Sequence, residues 1–141
     1  MTNKPINQRI KEYYLLHGTE KTCFKETHVA KELAAILRCK TEINAPLQMG
    51  RIDLLSADWL LELKKGGSTA QKNCLGQLIC YKMALDFKGN LGIGLIGNQL
   101  PNPGVRLFCK KFNISIFFYN LNSCKWSFLY DNRSMERVSF L

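Results

Sequence analysis

Gly50-Arg51-Ile52-Asp53-Leu54-Leu55-Ser56-Ala57-Asp58-Trp59-Leu60-Leu61-Glu62-Leu63-Lys64-Lys65 reads as two β-strands folded back on each other. The runs on either side of the centre are rich in Leu, Ile and Trp, residues that suit a pleated, half-buried surface. The turn falls at Ala57-Asp58, between Ser56 and Trp59. A two-residue loop there gives cross-strand partners whose numbers sum to 115, so Asp53 faces Glu62 and Arg51 faces Lys64. Side chains alternate along a strand. Asp53, Glu62 and Lys64 are therefore expected on one face, with Ile52, Leu54, Leu61 and Leu63 on the other. Ala-Asp is a weak dipeptide for a tight hairpin turn, and a slip of one residue would carry one carboxylate to the far face.

Directly opposed side chains stand about 5 Å apart at Cβ. Two carboxylates at that distance repel by roughly 3 kcal/mol at an effective dielectric near 20. A divalent cation between them removes the repulsion, because Mg²⁺ is held by one or two carboxylates together with water and phosphate oxygens. A lysine two residues beyond the second acid can hold a water or a developing negative charge. On a solvated strand the same residues would form only weak ion pairs.

The chain has 141 residues, the length of one ordinary domain. A hydrophobic fraction of 46% is that of a chain with a core, which excludes an intrinsically disordered protein. Net charge is +9 and the pI about 9.4, a balance that favours a polyanionic partner. Cys23, Cys39, Cys74, Cys80, Cys109 and Cys124 contain no C-x-x-C pair and no finger-like His spacing. They read as reduced thiols of an intracellular, cytoplasmic protein. The N-terminus lacks the apolar region of a secretory signal, and no apolar run approaches the ~20 residues of a membrane span. No membrane partner is expected.

A helix is expected over 6–17, closed by Gly18. Thr27 is a candidate N-cap for a second helix to about Arg38, with Val29, Leu33, Ile36 and Leu37 as its buried stripe. Glu32 falls about 60° from the centre of that stripe, on the boundary between core and solvent, with His28 one turn before it. Thr41–Leu47 reads as a strand. Ser68 and Gln71 have the spacing of a capping box that opens a helix to about Phe87, and Gln77 and Tyr81 stand at i and i+4 on it. Leu91–Ile96 reads as a buried strand, Val105–Phe112 as a short basic helix, Ile114–Tyr119 as a buried strand and Trp126–Tyr130 as a last one. The string Gly92-x-Gly94-x-x-Gly97 lies within a strand and opens no helix, which excludes a dinucleotide loop. Trp59 is either core cover or a base-stacking wedge. This order describes one α/β (α+β) domain over 1–141, with its core at about 27–130, a short C-terminal tail, and a mixed sheet flanked by helices on both faces.

Gly50-Arg51-Ile52-Asp53, then Glu62-Leu63-Lys64, then Gln77-Leu78-Ile79-Cys80-Tyr81 resemble the successive motifs of the PD-(D/E)XK nuclease superfamily. The last of them is similar to the Q-x-x-x-Y element of its RecB-like and lambda-exonuclease-like branches. The resemblance covers about Thr27 to Tyr119 and implies a restriction-endonuclease-like sheet. It implies that Asp53 and Glu62 ligate Mg²⁺, with Mn²⁺ as a substitute, and that the backbone carbonyl of Leu63 is a further ligand. Lys64 would position and activate the attacking water, and Gln77 and Tyr81 would orient the metal site or the scissile phosphate. For the family's further acidic residue Glu32 is the first choice, His28 the second, and Glu12, Glu26 and Glu42 follow. Ile52 stands where many members have proline. Arg51, Lys65 and Lys72, with Lys110-Lys111, would contact DNA phosphates, which supplies affinity without sequence choice. The expected activity is that of a metal-dependent DNA endonuclease acting as a homo-oligomer, dimer or tetramer. A RecB-like exonuclease and a non-catalytic nucleic-acid-binding module are the alternatives.

Overall fold

The computed structural model describes residues 4–19 and 25–130. Cys23 and the tail from 131 onward lie outside them. The elements follow the order α1 (Ile6–His17), α2 (Glu26–Leu37), β1 (Lys40–Asn44), β2 (Arg51–Leu55), β3 (Trp59–Lys65), α3 (Ser68–Leu85), β4 (Asn90–Gly97), α4 (Pro103–Lys111), β5 (Ile114–Asn120) and β6 (Lys125–Tyr130), with one 3₁₀ turn at Pro46–Gln48. Six strands form one sheet in sequence order. The pairs β1–β2, β2–β3 and β5–β6 are antiparallel, whereas β3–β4 and β4–β5 are parallel. The expected mixed α+β fold is thus the observed one.

Parallel neighbours need a crossover, and crossovers keep one hand. α3 and α4 accordingly pack on the same side of the sheet, where Cys74, Leu75, Leu78, Val105 and Cys109 meet Leu60, Ile93 and Ile116. α1 and α2 cover the other side with Ile6, Ile10, Val29, Leu33 and Ile36 against Leu61, Phe117 and Trp126. Burial on both faces explains why β4 and β5 read as continuous apolar runs. Gly94 serves this packing. A Cβ there would come within 2.9 Å of the Trp126 ring and would also collide with Leu63. Trp59 is 2% exposed and its ring meets Phe117 edge-on at 5.6 Å, so it belongs to the core and is no wedge.

Several expected boundaries shift for local reasons. α2 begins at Glu26, with Lys25 rather than Thr27 at the N-cap. β1 ends at Asn44 because Ala45-Pro46 turns the chain into the 3₁₀ segment, where Ala45 N–H donates to Gly50 O at 2.8 Å. The capping box does not form. Gly67 is the N-cap of α3, and Ser68 and Gln71 bond instead to the loop before α4. α3 stops at Leu85, where Asp86 takes a left-handed conformation at φ 50°. Cys39, Cys74, Cys80, Cys109 and Cys124 are free thiols. No helix among the described residues is long and apolar enough to cross a membrane.

Candidate active site

The hairpin turn sits where the sequence puts it, and a side chain makes up for its weak dipeptide. Ser56 Oγ accepts from Trp59 N–H at 3.0 Å and from Asp58 N–H at 3.2 Å. Asp58 O then accepts from Asn90 N–H at 2.7 Å, which ties the turn to β4. Leu54 pairs with Leu61 and Leu55 with Leu60, the register in which partner numbers sum to 115.

The β2–β3 ladder runs for those two pairs only. At the next level the two acids take over. Asp53 N–H donates to Glu62 Oε1 at 3.1 Å, and Leu63 N–H donates to Asp53 Oδ2 at 2.7 Å. Each carboxyl oxygen does the work of a backbone carbonyl. The same level is irregular in β1, where Glu42 has φ 54°. Pairing between β1 and β2 resumes at Ile43–Ile52. Beyond the irregularity the strand has rotated. Ile52 packs on the α3 side, while Leu54, Leu61 and Leu63 pack on the α2 side. The expected common face of Ile52 with these three leucines is therefore not observed, because alternation fails where Asp53 leaves the ladder.

Glu62 is 4% exposed and Asp53 is half-buried. Burial raises the Glu62 carboxyl to about 8, the charge of Asp53 adds to the rise, and Lys64 opposes it. Burial also raises Asp53, against the Leu63 N–H and the Lys64 ammonium, and the charge of Glu26 adds to the rise. Two acids that resist ionisation side by side mark a deficit of positive charge. A cleft of about 590 Å³ opens between α2 and the strands, lined by Glu26, Lys31, Glu42, Asp53, Lys64 and Lys65 together with Leu63 and Ile96. Glu62 does not line it. The donors are hard oxygens of the kind Mg²⁺ takes with water and phosphate; Asp53 lines the cleft, and Glu62 sits behind it, joined to Asp53 through the Asp53 N–H. Among the described residues no group of three or more His, Cys, Asp or Glu forms a ready-made metal cage.

The other expected site residues divide. Glu32 is buried, but it faces the seam between α1 and β6. Its Oε1 accepts from Tyr14 OH at 2.9 Å, and His28 Nε2 stands 3.6 Å from its Oε2. Tyr14 OH in turn accepts from Trp126 N–H at 2.8 Å, which closes that side of α2. The helix acid at the cleft is Glu26, in the first turn of α2. Its distance from the apolar stripe, which alone orients α2 in the sequence, ranked it behind Glu32 and His28. Glu42 also lines the cleft, whereas Glu12 pairs with Lys4 at 2.7 Å on α1.

Tyr81 is buried, and its OH donates to Arg51 O at 3.2 Å. Gly50 makes room for it, at φ 119° and with only 2.9 Å between an added Cβ and the tyrosine oxygen. Burial raises the Tyr81 phenol, and the charges of Glu62 and Asp53 add to the rise. Gln77, one turn earlier, is exposed. Lys65 stands at the cleft, while Arg51 and Lys72 are exposed outside its walls, Arg51 with Glu42 at 4.0 Å. Gln71, passed over as a capping residue, is buried and joins Gly66 O (3.4 Å) to Asn102 N–H (3.2 Å). It holds the turn after Lys65 to the start of α4. No family model, no curated protein and no solved structure matches this chain.

Proposed function

We propose that this chain is a Mg²⁺-dependent DNA endonuclease of the PD-(D/E)XK type, active as a homo-oligomer. One observation carries the proposal: Asp53 and Glu62 interlock across the end of a strand ladder, with Lys64 acting electrostatically on both. Asp53, Glu62 and the carbonyl of Leu63 would hold the ion, and Mn²⁺ would substitute for it. Bound there, the ion supplies Lewis-acid stabilisation of charge on the phosphoryl oxygens. Lys64 holds the water that attacks phosphorus and steadies the added negative charge. Tyr81 fixes the start of β2, and hence Asp53, through the Arg51 carbonyl. Lys65 contacts phosphate at the cleft, and Arg51 and Lys72 extend that contact over the surface. In the hydrolysis a water oxygen bonds to phosphorus and gives one proton to solvent, the bond to one sugar oxygen breaks, and that oxygen takes up a proton from solvent to leave as a hydroxyl.

Supercoiled plasmid incubated with Mg²⁺ or Mn²⁺ tests the proposal, with Asp53→Ala and Lys64→Ala alongside. Nicking by the wild type, lost in both variants while DNA binding remains, is the expected result. Equal binding by all three and no cutting of circular, linear, branched or single-stranded DNA would leave a binding module. RecB-like end processing is the second reading, favoured by Tyr81 bonded to the strand that carries Asp53. It requires that linear DNA be degraded while circular DNA is spared.

A further inference from the structure

α4 carries an aromatic pair that the core does not use. Val105 and Cys109 face inward at 3% and 0% exposure. Phe108 and Phe112, at 36% and 57%, lie toward solvent with their rings stacked at 4.4 Å and 29°. Leu107 is exposed beside them, and Lys111 follows it by one turn on the same face. Exposed apolar groups gathered in one place mark a contact surface more often than chance scatter does.

The electrostatic setting selects the partner. From Phe87 to Tyr130 the sequence has no Asp or Glu, and it has Lys88, Arg106, Lys110, Lys111 and Lys125. A second copy seated on this face would bring lysine against lysine in a chain of net charge +9. A partner with negative charge and flat π-faces suits it better. Single-stranded nucleic acid has both, since unpaired bases stack on aromatic rings while the backbone meets the cations. Duplex DNA offers the charge alone, its bases being already stacked.

We propose that Phe108 and Phe112, with Lys111, form a base-stacking platform for single-stranded DNA. The start of α4 is tied to the start of α3 by Asn102 Nδ2 donating to Ser68 Oγ at 3.0 Å, next to the turn after Lys65. The nine-residue helix then runs roughly 14 Å away from that point. The platform thus stands on the α3–α4 side of the sheet, whereas the cleft opens on the α2 side. Joined to the endonuclease reading, on which this last step rests, the substrate class is DNA with a single-stranded arm.

The test uses the full chain in EDTA and reads fluorescence anisotropy of a labelled oligothymidine strand and of a duplex of equal length. Phe108→Leu with Phe112→Leu keeps the apolar surface and removes the rings, and Phe108→Tyr with Phe112→Tyr keeps the rings. The leucine pair is expected to weaken single-strand binding about tenfold or more, leaving the duplex nearly unchanged, while the tyrosine pair binds like wild type. Thermal melts of each variant check the fold. Equal binding of the strand by the leucine pair and wild type would overturn the proposal. So would an equal loss on strand and duplex, or a wild-type dimer in light scattering that the leucine pair dissociates. Cleavage is scored separately. Ring-dependent binding without nicking leaves the platform standing and removes the nuclease, and nicking without ring dependence does the reverse.

Discussion

Glu62→Gln should make the metal-free protein more stable at neutral pH and remove part of its pH dependence. In the folded chain Glu62 holds its proton up to about pH 8, whereas an unfolded glutamate releases it near pH 4.3. Between those values the folded state binds more protons than the unfolded one, so stability falls as pH rises. The slope is at most about 1.4 kcal/mol per pH unit for one proton. From pH 5 to 7.5 the wild type should lose up to roughly 3 kcal/mol relative to the variant, or on the order of 10 °C in Tm. Glutamine keeps an oxygen to accept from Asp53 N–H, so the comparison isolates the charge. Trp59 and Trp126, both buried, report unfolding by fluorescence in urea with EDTA. Added Mg²⁺ should raise the stability of the wild type at pH 8 and leave the variant almost unchanged. A difference between the two proteins that stays flat from pH 5 to 8, or turns toward the wild type, would refute the assignment of a strained acid pair.

Three further outcomes follow from packing and hydrogen bonding. Gly94→Ala should destabilise by about 1–3 kcal/mol, since its methyl meets Leu63 and Trp126, and calorimetry would measure the drop in Tm. Tyr81→Phe should cost roughly 0.5–1.5 kcal/mol by losing the bond to Arg51 O, and Gln77→Ala, at an exposed position, should stay within about 0.5 kcal/mol. Urea unfolding of both variants checks this, and a large loss in the glutamine variant would contradict its place in the fold.

The hairpin was legible because its apolar residues alternate with charge on either side of one turn. Register survived a weak turn dipeptide because Ser56 binds two backbone N–H groups, a local bond that periodicity does not register. The break in the ladder was not legible. Whether Asp53 bonds to a backbone N–H or points to solvent depends on what covers the strand, and α2 is remote in sequence. The same distance put the helix acid at the cleft behind Glu32 in the ranking. The stripe of Val29, Leu33 and Ile36 orients the middle of α2, but Glu26 reaches the cleft from the helix end, and Tyr14, from another helix, claimed Glu32. Ser68 and Gln71 had the right spacing for a cap and found better acceptors and donors in the loop at Asn102.

The two acids at the end of the β2–β3 ladder also stitch the antiparallel arm of the sheet to its parallel half. A chain with no chemistry at this pair would still need an oxygen acceptor at each position to hold the arm, and an amide supplies one as well as an acid does. Lys64 makes no comparable stitch through its side chain. In any comparison of copies of this fold, the charge at 53 and 62 and the lysine at 64 are to be read together, because architecture alone asks only for an oxygen at each acid.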